Sequence, residues 1–260
     1  MKRLLFVSLK GGCGATTVTA NLAQALVKIN KHVLAIDTAS ANLLRLHFGL
    51  PNFTTDGWAH HLFKGLPWYE AGFESPQGAA LLPFGQLSPE QRQQFDASRE
   101  QYLVDLNKQT YLLDSADREQ WMLFHAEMSD LNALYLAEAV ASMDAVFVVV
   151  TPDAVSYTVL QSWLESHPAA EVLSKQGKLR FIANKYQPET EVGRDFMLVL
   201  KQELAGLLVP VIVHQDTALM DSVANLTTVQ HYAPASQAAK DFQSLAFWCV
   251  SFLSSHQLDD

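Results

Sequence analysis

The residues best suited to chemistry form one run, Leu9-Lys10-Gly11-Gly12-Cys13-Gly14-Ala15-Thr16-Thr17, leading directly into Val18-Thr19-Ala20-Asn21-Leu22. An apolar segment, a glycine turn and a helical pattern in that order bring several backbone N–H groups and the positive end of a helix dipole to one point. Phosphate oxygens bind at such a point. The hydroxyl of Thr16 is suited to ligating Mg²⁺, and that of Thr17 to a further phosphate contact. The nucleotide-binding set read from the loop is therefore Lys10, Gly11, Gly12, Cys13, Gly14, Ala15, Thr16 and Thr17, with Thr16 as metal ligand. Cys13 lies beside a helix start, where a thiol pKa falls, but its variable position in the run favours a small filler.

Two general patterns fit the run incompletely. The phosphate-loop pattern G-x-x-x-x-G-K-[ST] would put its first glycine on Leu9 and its lysine on Ala15. A dinucleotide fingerprint accounts for Gly12, Gly14 and an acid, Asp37, about 20 residues on, but its third glycine falls on Thr17. Neither His60-His61 nor the two cysteines, Cys13 and Cys249, show metal-ligand spacing.

The elements that must position the loop are read from apolar runs at Leu4–Leu9, His32–Ile36, Ala80–Leu82, Thr110–Leu113, Ala145–Thr151, Leu179–Ala183 and Val209–Val213. Continuous rather than alternating apolar residues predict strands covered on both faces. Helical patterns lie between them at Thr16–Asn30, Pro89–Asn107, Ser129–Ser142, Ala154–His167, Glu189–Leu207 and Ser236–Ser254. Ser88-Pro89-Glu90-Gln91 carries the signature of a capping box with proline at the first helical position, and Asp153 is placed to cap the helix that follows it. The alternation predicts a doubly wound α/β fold with a mostly parallel sheet and helices on both faces, in a single domain over residues 1–260. The aromatic stretch Gly57–Pro83 reads as a satellite cluster under a long loop.

Composition narrows the partners. The 260 residues are 49% hydrophobic and 17% charged, enough to bury a sizeable core, and the net charge is −9. Residues 1–64 hold seven lysines and arginines against two acids, so an anion site is expected there, while residues 186–260 hold three basic residues against nine acids. That balance opposes a DNA-binding surface. The apolar start ends at Lys10 after six residues and reads as a buried strand rather than a secretion signal. The apolar helix near residue 250 lacks the basic polar face of a membrane-surface helix. Neither nucleic-acid binding nor direct membrane insertion is expected.

On these residues the sequence resembles the MinD/ParA class of P-loop ATPases, whose deviant Walker A loop reads K-G-G-x-G-K-[ST]-[ST]. The resemblance implies that Lys10 is the signature lysine reaching across an ATP-sandwich homodimer, and that Val33-Leu34-Ala35-Ile36-Asp37 ends in a catalytic Asp37. It implies that Tyr111-Leu112-Leu113-Asp114 is the Walker B strand, ending in a catalytic Asp114, and that Asn184-Lys185, His214 and Asp216 lie at the adenine. His214 would stack on or bond to the base, or stand at a strand end without a ligand role, and both readings remain open. Asn42-Leu43-Leu44-Arg45-Leu46, Gly57-Trp58-Ala59, Leu81 to Ser88 and Val211-Ile212-Val213-His214 are similar to the BcsQ family, the MinD-like proteins of bacterial cellulose-synthesis operons. That similarity implies ATP and Mg²⁺ as cofactors. It implies cellulose-secretion components as partners, including a small BcsR-like accessory subunit, and a cytoplasmic location with recruitment to the inner-membrane face through proteins.

Departures from the class pattern bear on turnover. Ala15 stands where the class has its loop lysine, Ala39 where it has the water-activating acid, and Asp114-Ser115-Ala116 where it has D-x-P. The expectation is an ATP-bound scaffold dimer with weak or absent hydrolysis. The alternative is an actively cycling ATPase that times the localisation of a partner complex. A dinucleotide-dependent oxidoreductase, predicted to be stabilised by NAD(H) and not by ATP, is the third reading.

Overall fold

The structure is a computed structural model and describes residues 1–51, 53–114, 119–131 and 139–255. Strands β1 (Lys2–Ser8), β2 (His32–Asp37), β3 (Phe73–Glu74), β4 (Ala80–Leu82), β5 (Gln120–Ala126), β6 (Ala145–Val150) and β7 (Leu179–Ala183) form one sheet. Their order is β3-β4-β2-β5-β1-β6-β7. All pairs are parallel except β3 on β4. All six residues of β6 are buried, and Leu4 to Val7 of β1 likewise, because helices cover both faces. On one face α1 (Ala15–Lys28) packs against the helix Gln237–Ser255, and Phe6 stacks on Phe147, which meets Trp248 edge-on. On the other face Leu5 and Phe124 meet Leu103 and Leu106. The doubly wound fold is as the sequence predicts, and parallel strands bring the ends of β1, β2, β5, β6 and β7 to one rim.

Two predicted strands are corrected. Thr110–Leu113 is a single 3₁₀ turn closing the helix before it, with Leu112 83% exposed. The strand in that place is β5, ten residues on. A four-residue apolar run followed by Asp imitates a strand end, and periodicity alone does not separate such a run from a turn. Val209–Val213 runs beside β7 but pairs only at its ends, through Val209 N–H to Phe181 O (2.8 Å) and Val213 N–H to Ala183 O (2.9 Å). Pro210 between them has no N–H to continue a ladder.

The predicted helix Pro89–Asn107 divides at Ser98. With α2 assigned to Trp58–Lys64, its halves are α3 (Pro89–Ala97) and α4 (Arg99–Gln109). The Ser88 capping box with Gln91 is formed, and Asp153 caps Ala154–Ser166 through the Ser156 N–H at 2.8 Å. The helix expected over Ser129–Ser142 lies partly outside the described residues, and its last four form a 3₁₀ turn. Ser115, Ala116, Asp117 and the terminal Asp259-Asp260 lie outside them too. Among the described residues no helix is long and apolar enough to cross a membrane.

The aromatic stretch joins the main core rather than forming a satellite. Trp58 meets Phe84 at 5.4 Å and Phe95 at 5.7 Å between ring centres, and its indole N–H donates to the Asp37 carbonyl at 2.8 Å. Beside it the 3₁₀ turn Leu44–Phe48 buries His47. Burial first, and the neighbouring His125 second, lower the His47 pKa to about 4. The unfolded chain takes up this proton near the ordinary histidine value of about 6.5. The stability is thus complete above that pH and is lost as pH falls toward 4. Replacing His47 by Asn should flatten this fall by up to about 1.4 kcal/mol per pH unit, read from urea unfolding across that window. An unchanged slope would remove His47 from the acid response.

Candidate functional site

The glycine loop leaves β1 at the rim. The Leu9 N–H still pairs with the Val149 carbonyl (3.0 Å); the chain then turns through Gly12 and Gly14, with φ of +85° and +96°. No side chain caps α1 after Gly14, and the Ala15 N–H donates to Ser8 Oγ at 3.1 Å. The first-turn N–H groups of a helix have no partner within it, so those of Thr16 and Thr17 are available to an anion at the loop. Cys13 has no exposed surface, and its Sγ lies 3.9 Å from Thr151 Oγ1, beneath the loop as a filler.

Two residues following β7 hold the loop from behind. Asn184 Nδ2 donates to the Cys13 carbonyl and Lys185 Nζ to the Gly12 carbonyl, both at 2.8 Å. A methyl group on Gly14 would lie 2.5 Å from Asn184 Nδ2. With its amide thus oriented, Asn184 keeps a buried Oδ1 that has no hydrogen-bond partner among the described residues. Beside it opens a cavity of about 360 Å³ lined by Thr17, Asn184, Lys185, His214, Asp216 and Leu219, among others. His214 is fixed there because its backbone N–H and its Nδ1 both bond Asp241 Oδ2 at 2.9 Å. Asp216 caps the helix Thr217–Ala224 through the Ala218 N–H and also accepts the Ala238 N–H. Asp241 and His125 were not singled out from the sequence, whereas Lys185 was expected beside Asn184 at the adenine and instead holds the Gly12 carbonyl.

At the outer edge of the loop Lys10 Nζ lies 3.9 Å from Asp153 Oδ2. Burial alone would raise the Asp153 pKa, but the Thr151 hydroxyl, the Ser156 N–H and the charge on Lys10 outweigh it and bring the carboxyl below its ordinary value.

Three side chains form a chain at the inner edge. Asp37 at the end of β2 and His125 near the end of β5 are register partners, and His125 Nδ1 donates to Asp37 Oδ1 at 2.9 Å. On its other side His125 Nε2 lies 3.1 Å from Thr16 Oγ1. Asp37 has no exposed surface and also accepts the N–H groups of Ala39 and Leu44, each at 3.1 Å. Ala39 is buried, so no carboxylate occupies the second acidic place.

Asp114 is not part of this site. It lies at the opposite end of the sheet, half-exposed, with Oδ1 3.7 Å from the Met1 amine. The residue at the corresponding strand end is His125, followed two places on by Glu127, which accepts the Ser40 N–H and hydroxyl at 3.1 and 2.9 Å.

The family model for "Cellulose biosynthesis protein BcsQ" matches residues 1–250. The chain belongs to the BcsQ family. It is 29% identical to the cellulose biosynthesis protein BcsQ of Escherichia coli K12 over 93% of this chain and 91% of that one. It is 28% identical to the BcsQ protein of Salmonella typhimurium with the same coverage. Among solved structures it is similar to the cell-division ATPase MinD of Pyrococcus furiosus, with a TM-score of 0.70, 24% identity, and coverage of 97% of this chain and all of that one. It is also similar to MinD of Pyrococcus horikoshii complexed with Mg-ADP, with a TM-score of 0.69, 22% identity and 94% coverage of each chain. At these identities the structural likeness establishes the MinD-like fold.

In this BcsQ-family chain the loop conformation depends on Gly14 in two ways, through its positive φ and its approach to Asn184. Substituting alanine combines backbone strain with a contact that must give way. Gly14→Ala should lower stability by about 1–3 kcal/mol, seen as a drop of several degrees in the unfolding midpoint. A midpoint equal to wild type would show that the loop is free to rearrange.

Proposed function

We propose that this protein binds ATP at the glycine loop and uses it as a structural ligand of a homodimer that serves as a scaffold in bacterial cellulose synthesis and secretion, with weak or absent hydrolysis. The observation that carries the reading is the continuity of two features. The uncapped start of α1 offers N–H groups to phosphates, and the adjoining cavity is lined in part by Asn184, whose buried Oδ1 has no partner among the described residues. A buried acceptor without a partner is costly, and the amino group of adenine is a donor of the right kind. Membership of the BcsQ family and the cellulose-biosynthesis names of its relatives support the biological role. The MinC:MinD cell-division complex of Aquifex aeolicus supports partner binding by this fold, and Mg-ADP in a MinD neighbour supports nucleotide binding.

Several groups have defined parts in that reading. The loop N–H groups and Thr17 hold phosphates, Asn184, His214 and Asp216 surround the base, and Lys10 at the exposed edge extends to the partner subunit's phosphates. Asp37 acts as a buried anchor for the loop between β2 and α2. A carboxylate that orients an attacking water, as phosphoryl transfer requires, is missing at Ala39, which favours the scaffold over the cycling ATPase. A BcsR-like accessory subunit and other cellulose-secretion components would bind the outer surfaces of the dimer, recruiting it from the cytoplasm to the inner-membrane face.

Saturating ATP should raise the unfolding midpoint by on the order of 5–10 °C, and NAD(H) should leave it unchanged. Sedimentation should give a dimer with ATP that persists without a slowly hydrolysed analogue, and a monomer with Lys10→Ala. Phosphate release at the rate of a working ATPase, abolished by that substitution, would replace the scaffold with the cycling reading.

A further inference from the structure

The surroundings of Thr16 do not fit a protein-held Mg²⁺. In a phosphate loop the hydroxyl at this place ligates the ion, and a carboxylate at a neighbouring strand end supports it. Here the strand end carries His125, and its Nε2 is within hydrogen-bond distance of Thr16 Oγ1. The adjacent carboxylate, Asp37, is fully buried, and its oxygens are engaged by His125 Nδ1 and the N–H groups of Ala39 and Leu44. Mg²⁺ takes oxygen ligands in near-octahedral geometry, and imidazole nitrogen suits other metals.

Resting on the nucleotide reading above, we infer that His125 stands in for the cation, so that this chain binds the nucleotide triphosphate as the free anion and needs no divalent ion to do so. The bond to Asp37 holds the ring in place, and its other nitrogen engages the Thr16 hydroxyl that would otherwise ligate an ion. Thr16 then meets phosphate directly, with the imidazole alongside. Ala15 removes the loop lysine, and positive charge near the loop comes instead from Lys185, 2.8 Å from the Gly12 carbonyl, and from Lys10. Lys185 stands behind the loop and Lys10 at its outer edge, each on a flexible stem that can turn to a polyphosphate.

Titrating ATP into the purified chain by calorimetry, once in excess MgCl₂ and once in excess EDTA, tests this directly. Dissociation constants agreeing within about threefold are expected, and a loss of tenfold or more in EDTA overturns the inference while leaving the nucleotide reading intact. Binding in neither buffer overturns both. His125→Asn should weaken ATP binding in EDTA by roughly tenfold or more, and binding equal to wild type there would show that the imidazole plays no part. Should that variant fail to fold, the histidine ring signals of the wild-type chain serve instead. ATP in EDTA should shift the His125 resonances, and unmoved resonances with ATP bound would overturn the inference.

Discussion

Asp37 ends β2 with no contact to water, and a buried carboxyl is tolerated only where donors surround it. Its side chain accepts from His125 on the neighbouring strand and from Ala39 and Leu44 in the chain that follows, while its carbonyl accepts the Trp58 indole. Four parts of the molecule are thereby tied to one residue: the strand end of β5, the turn after β2, the 3₁₀ segment at Leu44 and the aromatic cluster of Trp58, Phe84 and Phe95. The tie extends through His125 to Thr16 and so to the start of α1. A site whose inner edge is a closed hydrogen-bond chain is held rigidly, which suits a ligand recognised by fixed N–H directions.

The outer half of the site is assembled from residues far apart in sequence. The backs of Gly12 and Cys13 are held by Asn184 and Lys185, more than 170 positions on, and His214 is oriented by Asp241 on the helix that covers α1. The same Gln237–Ser255 helix shields β1 and β6 on one face and supplies the carboxylate that fixes one wall of the cavity. Core packing and site geometry are therefore coupled through a single helix, and the position of the cavity wall follows from the burial of Phe242, Leu245 and Cys249.

Much of this was legible in the sequence where a residue type has only one structural use. The glycines of the loop, the Ser88 capping box and the Asp153 cap each depend on neighbours within a few positions, and each appears where its pattern puts it. The parallel sheet followed from unbroken apolar runs. The end of β5 was not legible because its identifying feature, a terminal acid, is absent: Gln120 to Ala126 ends in His-Ala, whereas Tyr111 to Asp114 imitates the missing pattern on an exposed turn. The pairing of His125 with Asp37 and that of His214 with Asp241 depend on strand register and helix packing, which no local spacing encodes. A buried histidine beside a buried aspartate becomes visible only when β2 and β5 lie side by side.

The chemistry left at the loop bears on what a bound triphosphate does there. Rate acceleration comes from interactions stronger in the transition state than in the ground state. In the proposed reading the loop N–H groups act on phosphate oxygens in the ground state, and Ala15 and Ala39 stand where the resemblance to the MinD/ParA class implies groups that act on developing charge and on water. Glu127 does not replace them, since both hydrogen bonds from Ser40 and the nearby Arg99 hold it to the turn after β2. Binding free energy without differential stabilisation goes into the occupied state itself. In the proposed ATP dimer, with the ligand at the rim of the sheet beside a half-buried Lys10, that free energy would be available to fix the arrangement of one subunit on another.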